Sequence, residues 1–282
     1  MKNIIKKLIN YLIRIFLKIL FLFNAGRYLI ETIQKKIKLL KYTVRYNGNI
    51  YSFFTPNRLN FFRAQTFLTK EPETIEWIKN FQNDSVFWDI GANVGLYSCF
   101  ASKEKRVVTY AFEPSFFNVE ILAKNIMLNK LSDKVIIIPI SLTDKFKVSD
   151  FNMSNIDEGG SMSTFSENYT HTGKLLKTNF SYKTIGLNGD HLIQKLNLKS
   201  PDYIKIDVDG IEHLILKGFD KVFDNVKSIL IEVNDKFETQ KQNVKKILED
   251  RGFELESKKQ SEIIASSKTN SDVYNQIWNK KK

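Results

Sequence analysis

The stretch FWDIGANVGLYS, residues 87–98, joins a short apolar run to a glycine-spaced turn and then to a segment of helical character. A buried strand that breaks at Asp89-Ile90-Gly91 and resumes as a helix around Gly95 opens a ligand-binding strand–turn–helix unit. It has neither the Gly-x-Gly-x-x-Gly of a dinucleotide fold nor the Gly-Lys-Ser/Thr of a phosphate loop. Gly91 permits a tight turn and a close backbone approach, and Gly95 lets the following helix pack closely. With no lysine in the turn, Asp89 is expected to face the ligand as a carboxylate, repelling an anion and welcoming a cation.

Working outward, the same alternation continues. Apolar runs at 86–90, 107–112, 135–140, 203–208 and 229–233 read as strands of a parallel sheet covered on both faces. Helical patterns lie between and around them, near 94–103, 116–129, 190–197, 211–219 and 238–250. A further helix begins at Pro72, with Ile75, Ile78 and Phe81 on one face. The expectation is an α/β domain over residues 46–282, doubly wound and Rossmann-like, with helices on both faces.

Ligands of such sheets bind beyond the carboxyl ends of the strands. The first strand ends in Asp89, Gly91, Asn93 and Gly95. The second ends at Glu113-Pro114, where an acid suits ribose hydroxyls, with Asn118 in the first turn of the next helix. The third runs out at Ser141, where a base can be hydrogen-bonded. The fourth gives Asp207, followed by Asp209, Glu212 and His213, and the fifth ends in Glu232. Asp207 is the first candidate for orienting an acceptor or taking its proton, with His213 and Glu232 behind it. A solvated helix position is the plainer reading of His213. Nothing in the sequence asks for a metal.

The net charge of +12 suggests a nucleic-acid binder until its position is read. Residues 1–45 carry eleven Lys/Arg and one acid, Glu31, whereas the remainder carries 32 basic and 30 acidic residues. The excess belongs to an N-terminal arm, so no nucleic-acid partner is expected. Within residues 1–23, Lys2, Asn3, Lys6, Lys7, Asn10, Arg14 and Lys18 form a polar stripe against Ile, Leu, Phe and Tyr. Arg14 and Lys18 interrupt the apolar run, so a spanning helix is a poor reading. A helix lying on an anionic membrane surface fits the stripe, as does one covering its own domain. The single cysteine, Cys99, reads as a small buried hydrophobe and points to a reducing, cytoplasmic setting, peripheral to the membrane face.

EPETIEWI, FWDIGANVGLYS, YAFEPSFFNVEILAKNIMLN, PISLTD, YIKIDVDGIEHLILKGF and SILIEVN stand in the order found in one family. Over roughly residues 50–253 the chain resembles the FkbM family of S-adenosylmethionine-dependent methyltransferases. The resemblance implies a class I methyltransferase sheet, with Asp89, Gly91, Asn93 and Gly95 as the adenosylmethionine loop and Glu113 on the ribose. It also implies O-methylation of a small-molecule or glycan hydroxyl. Two other readings stand beside it. Asp207-Val208-Asp209 is also the Asp-x-Asp of metal-dependent glycosyltransferases, and a cofactor-binding, membrane-associated pseudoenzyme would keep the same acids.

Overall fold

The computed structural model describes residues 2–266 and 272–281, and within them all side chains but those of residues 2, 3, 24 and 25. The chain divides into two compact units, residues 1–41 and 42–282.

The first unit is two helices, α1 (Lys2–Phe21) and α2 (Asn24–Ile37). They meet at Gly26, where any Cβ would lie 1.8 Å from the Leu20 carbonyl oxygen. Ile4, Leu8, Leu12, Phe16 and Ile19 of α1 are exposed. Of the polar stripe read from the sequence, Lys2 and Asn3 have side chains outside the described set. No helix among the described residues is long and apolar enough to cross a membrane.

The second unit opens with a hairpin, β1 (Lys41–Tyr46) and β2 (Asn49–Phe54), then α3 (Arg58–Gln65) and α4 (Pro72–Lys79). The winding follows as β3 (Val86–Ile90), α5 (Leu96–Lys105), β4 (Val108–Phe112), α6 (Phe116–Asn129) and β5 (Val135–Ile138). An insertion supplies β6 (Ser141–Leu142), β7 (Lys147–Met153), β8 (Ser163–Phe165) and β9 (Phe180–Leu187). The winding resumes with α7 (Gly189–Leu196), β10 (Tyr203–Ile206), α8 (Glu212–Lys217), β11 (Ser228–Asn234) and α9 (Glu238–Asp250). It closes with β12 (Phe253–Lys259), α10 (Glu262–Ala265) and β13 (Val273–Lys280).

Among the described residues, the central sheet has the order β12-β13-β11-β10-β3-β4-β5. The five expected strands are parallel, whereas β13 runs antiparallel to both β11 and β12, so the sheet is mixed. Two core layers flank it: Phe87, Ala111, Tyr203 and Leu230 face one way, and Trp88, Tyr110, Ile204 and Ile229 the other. Cys99 is fully buried in the first layer, as its reading anticipated. Because side chains alternate along a strand, Asp89, Glu113, Lys205 and Glu232 continue that same face to its carboxyl end. The insertion forms a separate sheet, β6-β9-β7-β8, beside those ends.

The free edge of β2 is not paired with the central sheet. Two asparagines one helical turn apart on α6 cover it instead. Asn125 accepts from the Phe54 N–H at 2.7 Å and donates to the Val94 carbonyl at 2.7 Å. Asn129 accepts from the Ser52 N–H at 3.1 Å and donates to the Ser52 carbonyl at 2.8 Å, imitating a neighbouring strand. Replacing Asn129 by leucine leaves two buried backbone groups unsatisfied. Asn129→Leu is expected to cost about 2–4 kcal/mol in urea unfolding, and a loss under about 0.5 kcal/mol would show the clamp to be dispensable.

Candidate active site

The carboxyl ends of β3, β4, β10 and β11 open on a cavity of about 290 Å³. Gly91, Glu113, Asp207 and Glu232 line it from the central sheet, and Phe151, Phe165 and His171 from the insertion. A recess of about 60 Å³ adjoins it, and Arg63, Lys70, Gly91, Asn93 and Asp207 line both. At Gly91, φ is +82° and a Cβ would stand 1.9 Å from the Asp207 carbonyl oxygen. Only glycine fits the turn, and its bare backbone is left facing the cavity.

Glu113 is buried in the wall, with one oxygen accepting from the Ser115 N–H and the other from the Asn93 N–H, both at 2.8 Å. Burial pushes its carboxyl up to about 7, against the pull of those donors. Each oxygen retains a lone pair for a ligand hydroxyl. Pro114 lines the cavity beside it, its carbonyl held by the Tyr182 hydroxyl at 2.7 Å. Ser141 also lines the wall, and its buried Oγ has no partner among the described residues.

Asn93 and Asn118, read from the sequence as ligand contacts, spend their side chains on a strap of the insertion. Asn93 Nδ2 and Asn118 Nδ2 donate to the Gly160 carbonyl at 2.8 and 3.1 Å, and Asn118 Oδ1 accepts from the Gly159 N–H at 2.9 Å. The strap, residues 154–162, is tied from the other side by Asn60 Nδ2 on the Glu158 carbonyl at 2.7 Å and Arg63 Nε on the Gly159 carbonyl at 2.9 Å. Asp209, at φ 63°, holds its far end by accepting from the N–H groups of Met162 and Ser163 at 2.6 and 3.2 Å. Both asparagines still border the cavity.

Behind the recess lies a buried ionic cluster. Lys205, 1% exposed in the middle of β10, donates to Asp207 Oδ2 at 2.6 Å. Burial alone would strip its proton, yet Asp207, Glu71 and Asp89 hold its pKa above the ordinary lysine value. Glu71 is likewise buried, and it stays ionised because Lys70, at 2.7 Å, and Lys205 outweigh its desolvation. The Glu232 carboxyl makes no hydrogen bond or ion pair among the described residues, and burial followed by Asp207 raises its pKa well above the carboxylate range.

Two sequence expectations need correction. Asp89 does not face the cavity. It is 1% exposed behind the turn, accepting from the Ser98 hydroxyl at 2.5 Å, because the odd-numbered residues of β3 point into the first core layer. Its pKa is raised by that burial. His213 is not solvated either. It is buried beside the Phe237 ring, away from the cavity, and burial with Lys217 pulls it down to about 4. Gly95 serves packing: at φ +77° its missing Cβ leaves room for Leu122. The sequence reading passed over Arg63, Lys70, Glu71, His171 and Lys205. Only Lys205 carried a local signal, a charge inside an otherwise apolar strand.

The methyltransferase FkbM domain family matches residues 89–255, more than half of the chain. The chain belongs to that family. Its domain is a methyltransferase domain whose methyl donor is S-adenosylmethionine. The hexuronic acid methyltransferase AglP of Haloferax volcanii is 27% identical over 153 residues, which are 54% of this chain and 57% of that protein. The chain thus spans little more than half of that relative. Among solved structures, an rRNA methylase from Streptococcus thermophilus aligns with a TM-score of 0.46 at 12% identity, over 74% of this chain and 95% of its own. TYW2 of M. jannaschii, in complex with AdoMet, aligns at 0.43 and 15% identity, over 86% and 87%.

The residues of the FkbM domain fit the donor. Gly91 keeps the turn at the cavity wall free of a side chain, Ser141 Oγ is a buried hydroxyl with no partner among the described residues, and the carboxylates of Glu113, Asp207 and Glu232 suit a cationic ligand. The raised acids also carry a stability signature. Glu212 accepts from the Val208 and Gly210 N–H groups at 3.1 Å, and burial lifts it from 4.5 to about 7. Between those values the folded chain keeps a proton that the unfolded chain has released, so this group's stabilising contribution falls as pH rises. His213 acts in the opposite direction, being neutral in the folded state where the unfolded chain is charged. Comparison of Glu212→Gln with wild type isolates the carboxyl. Whatever its constant cost, the variant is expected to gain melting temperature relative to wild type from about pH 5 to about pH 7. A constant difference across that range would refute the assignment.

Proposed function

We propose that the protein O-methylates a hydroxyl of a glycan or small-molecule acceptor, with a hexuronic acid-containing glycan as the first candidate. The observation that carries the reading is Glu113 at the end of β4, held by two backbone N–H groups beside the Gly91 turn. The name of the Haloferax volcanii relative supports the acceptor class. When bound, S-adenosylmethionine supplies a methyl group on a sulfonium, an electrophile that needs no metal to activate it.

The chain's own task is to hold the acceptor oxygen in line and take its proton. Glu232 suits the proton, since it lines the cavity, lacks a partner among the described residues and has a raised pKa. Asp207, fixed by Lys205, suits orientation. The Asp-x-Asp alternative is less well supported, because Asp207 is engaged by Lys205 and Asp209 by two backbone N–H groups. Labelled S-adenosylmethionine incubated with hexuronate-containing oligosaccharides tests the reading. Glu232→Gln is expected to lower kcat by about 10²–10⁴ while leaving S-adenosylhomocysteine affinity within a few-fold. Turnover close to wild type would remove Glu232 from the chemistry.

We further propose that residues 1–23 rest on an anionic membrane surface, on its cytoplasmic face. The support is the basic stripe on α1 and its exposed Ile, Leu and Phe side chains. Each cation near such a surface contributes roughly 1 kcal/mol. A full chain with Lys6, Lys7, Arg14 and Lys18 replaced by glutamine is expected to lose cosedimentation with phosphatidylserine vesicles. Equal partition of wild type onto neutral and anionic vesicles would sink the idea.

A further inference from the structure

Arg63 lies outside the segment matched by the family, yet it borders both the main cavity and the recess. Its Nε is committed to the Gly159 carbonyl at 2.9 Å. Its two Nη groups make no hydrogen bond or ion pair among the described residues. A half-buried guanidinium with its fork open is costly unless an anion completes it. The other charges of the recess are paired, Lys70 with Glu71 at 2.7 Å and Lys205 with Asp207 at 2.6 Å, so the guanidinium fork is the charge left open there among the described residues. A ligand that carries a carboxylate completes that fork with two parallel hydrogen bonds. The Gly91 to Tyr97 turn, which also lines the recess, belongs to the donor side of the sheet.

We propose that Arg63 receives the α-carboxylate of the methyl donor through its Nη groups, and so couples donor binding to the strap. The inference rests on the methyltransferase reading. One face of a single guanidinium holds the ligand and its Nε holds Gly159, so an occupied amino-acid end steadies residues 154–162, which wall the acceptor side. By linkage, the donor raises acceptor affinity and the acceptor raises donor affinity.

The test compares two thioethers that share the adenosine but differ in the amino-acid end. S-adenosylhomocysteine has it, and 5′-methylthioadenosine lacks it. In calorimetry, Arg63→Met is expected to weaken S-adenosylhomocysteine by about 10- to 100-fold, the range for one charged hydrogen-bonded contact, and to leave 5′-methylthioadenosine unchanged. In hydrogen exchange, S-adenosylhomocysteine should protect residues 154–162 of the wild type, and 5′-methylthioadenosine should not. If Arg63→Met does not fold, Arg63→Lys decides: it keeps the charge without the fork and should show a smaller loss confined to S-adenosylhomocysteine. Equal weakening of both compounds would assign Arg63 to the strap alone and overturn the proposal. So would unchanged binding of both, which would send the guanidinium to an acceptor carboxylate instead. Wild type binding neither compound would overturn the methyltransferase reading itself, a result distinct from either of these.

Discussion

The site is organised around a lysine that has no access to water. Lys205 stands in the central strand with Asp89 beside it in β3, and reaches forward to Asp207 at the strand's end. An ammonium so placed is tolerable only because three carboxylates surround it, and it in turn offsets their charge, with Lys70 sharing that task at Glu71. The cluster fixes where the carboxyl end of β10 points, and through the Gly91 turn, pressed against the Asp207 carbonyl, it fixes the donor side of the cavity. Removing Lys205 would take the nearest cation from Asp207 and Asp89 together, so the group behaves as a unit.

Around that fixed floor, the walls are assembled from distant segments. Asn60 and Arg63 of α3 reach residues 98 and 96 positions further along the chain, and Asn118 of α6 reaches back from another side. Two helices with no sequence proximity therefore meet on residues 158–160. Gly159 and Gly160 suit this role because both present bare backbone, and a Cβ at Gly159 would crowd Asn60.

What was legible in the sequence was local. The parallel strands announce themselves as unbroken apolar runs, because both faces are covered. The Gly91 turn and Glu113 follow from their places at strand ends. The β12–β13 hairpin escaped for the opposite reason: β12 buries Phe253 but exposes most of the rest, so its segment FELESKK reads as polar surface. Asp89 was misjudged by one step of the strand's alternation, since the residue before the turn points into a core layer and not out of the end. His213 looked polar by its helical neighbours, but α8 is short and packed on both sides, so even its histidine is buried. Arg63 carried no signal at all, since its meaning depends on a fold contact with residue 159.

The position of β13 sets a timetable. It lies between β11 and β12, yet it is the last strand in chain order. Until residues 273–280 are made, β11 has an open hydrogen-bonding edge carrying Ile229, Ile231 and Val233, and β12 has no partner on which to fold. The nascent chain therefore presents an apolar strand edge of the kind that recruits other strands. Pairing of residues 273–280 between β11 and β12 both completes the sheet and removes that exposed edge.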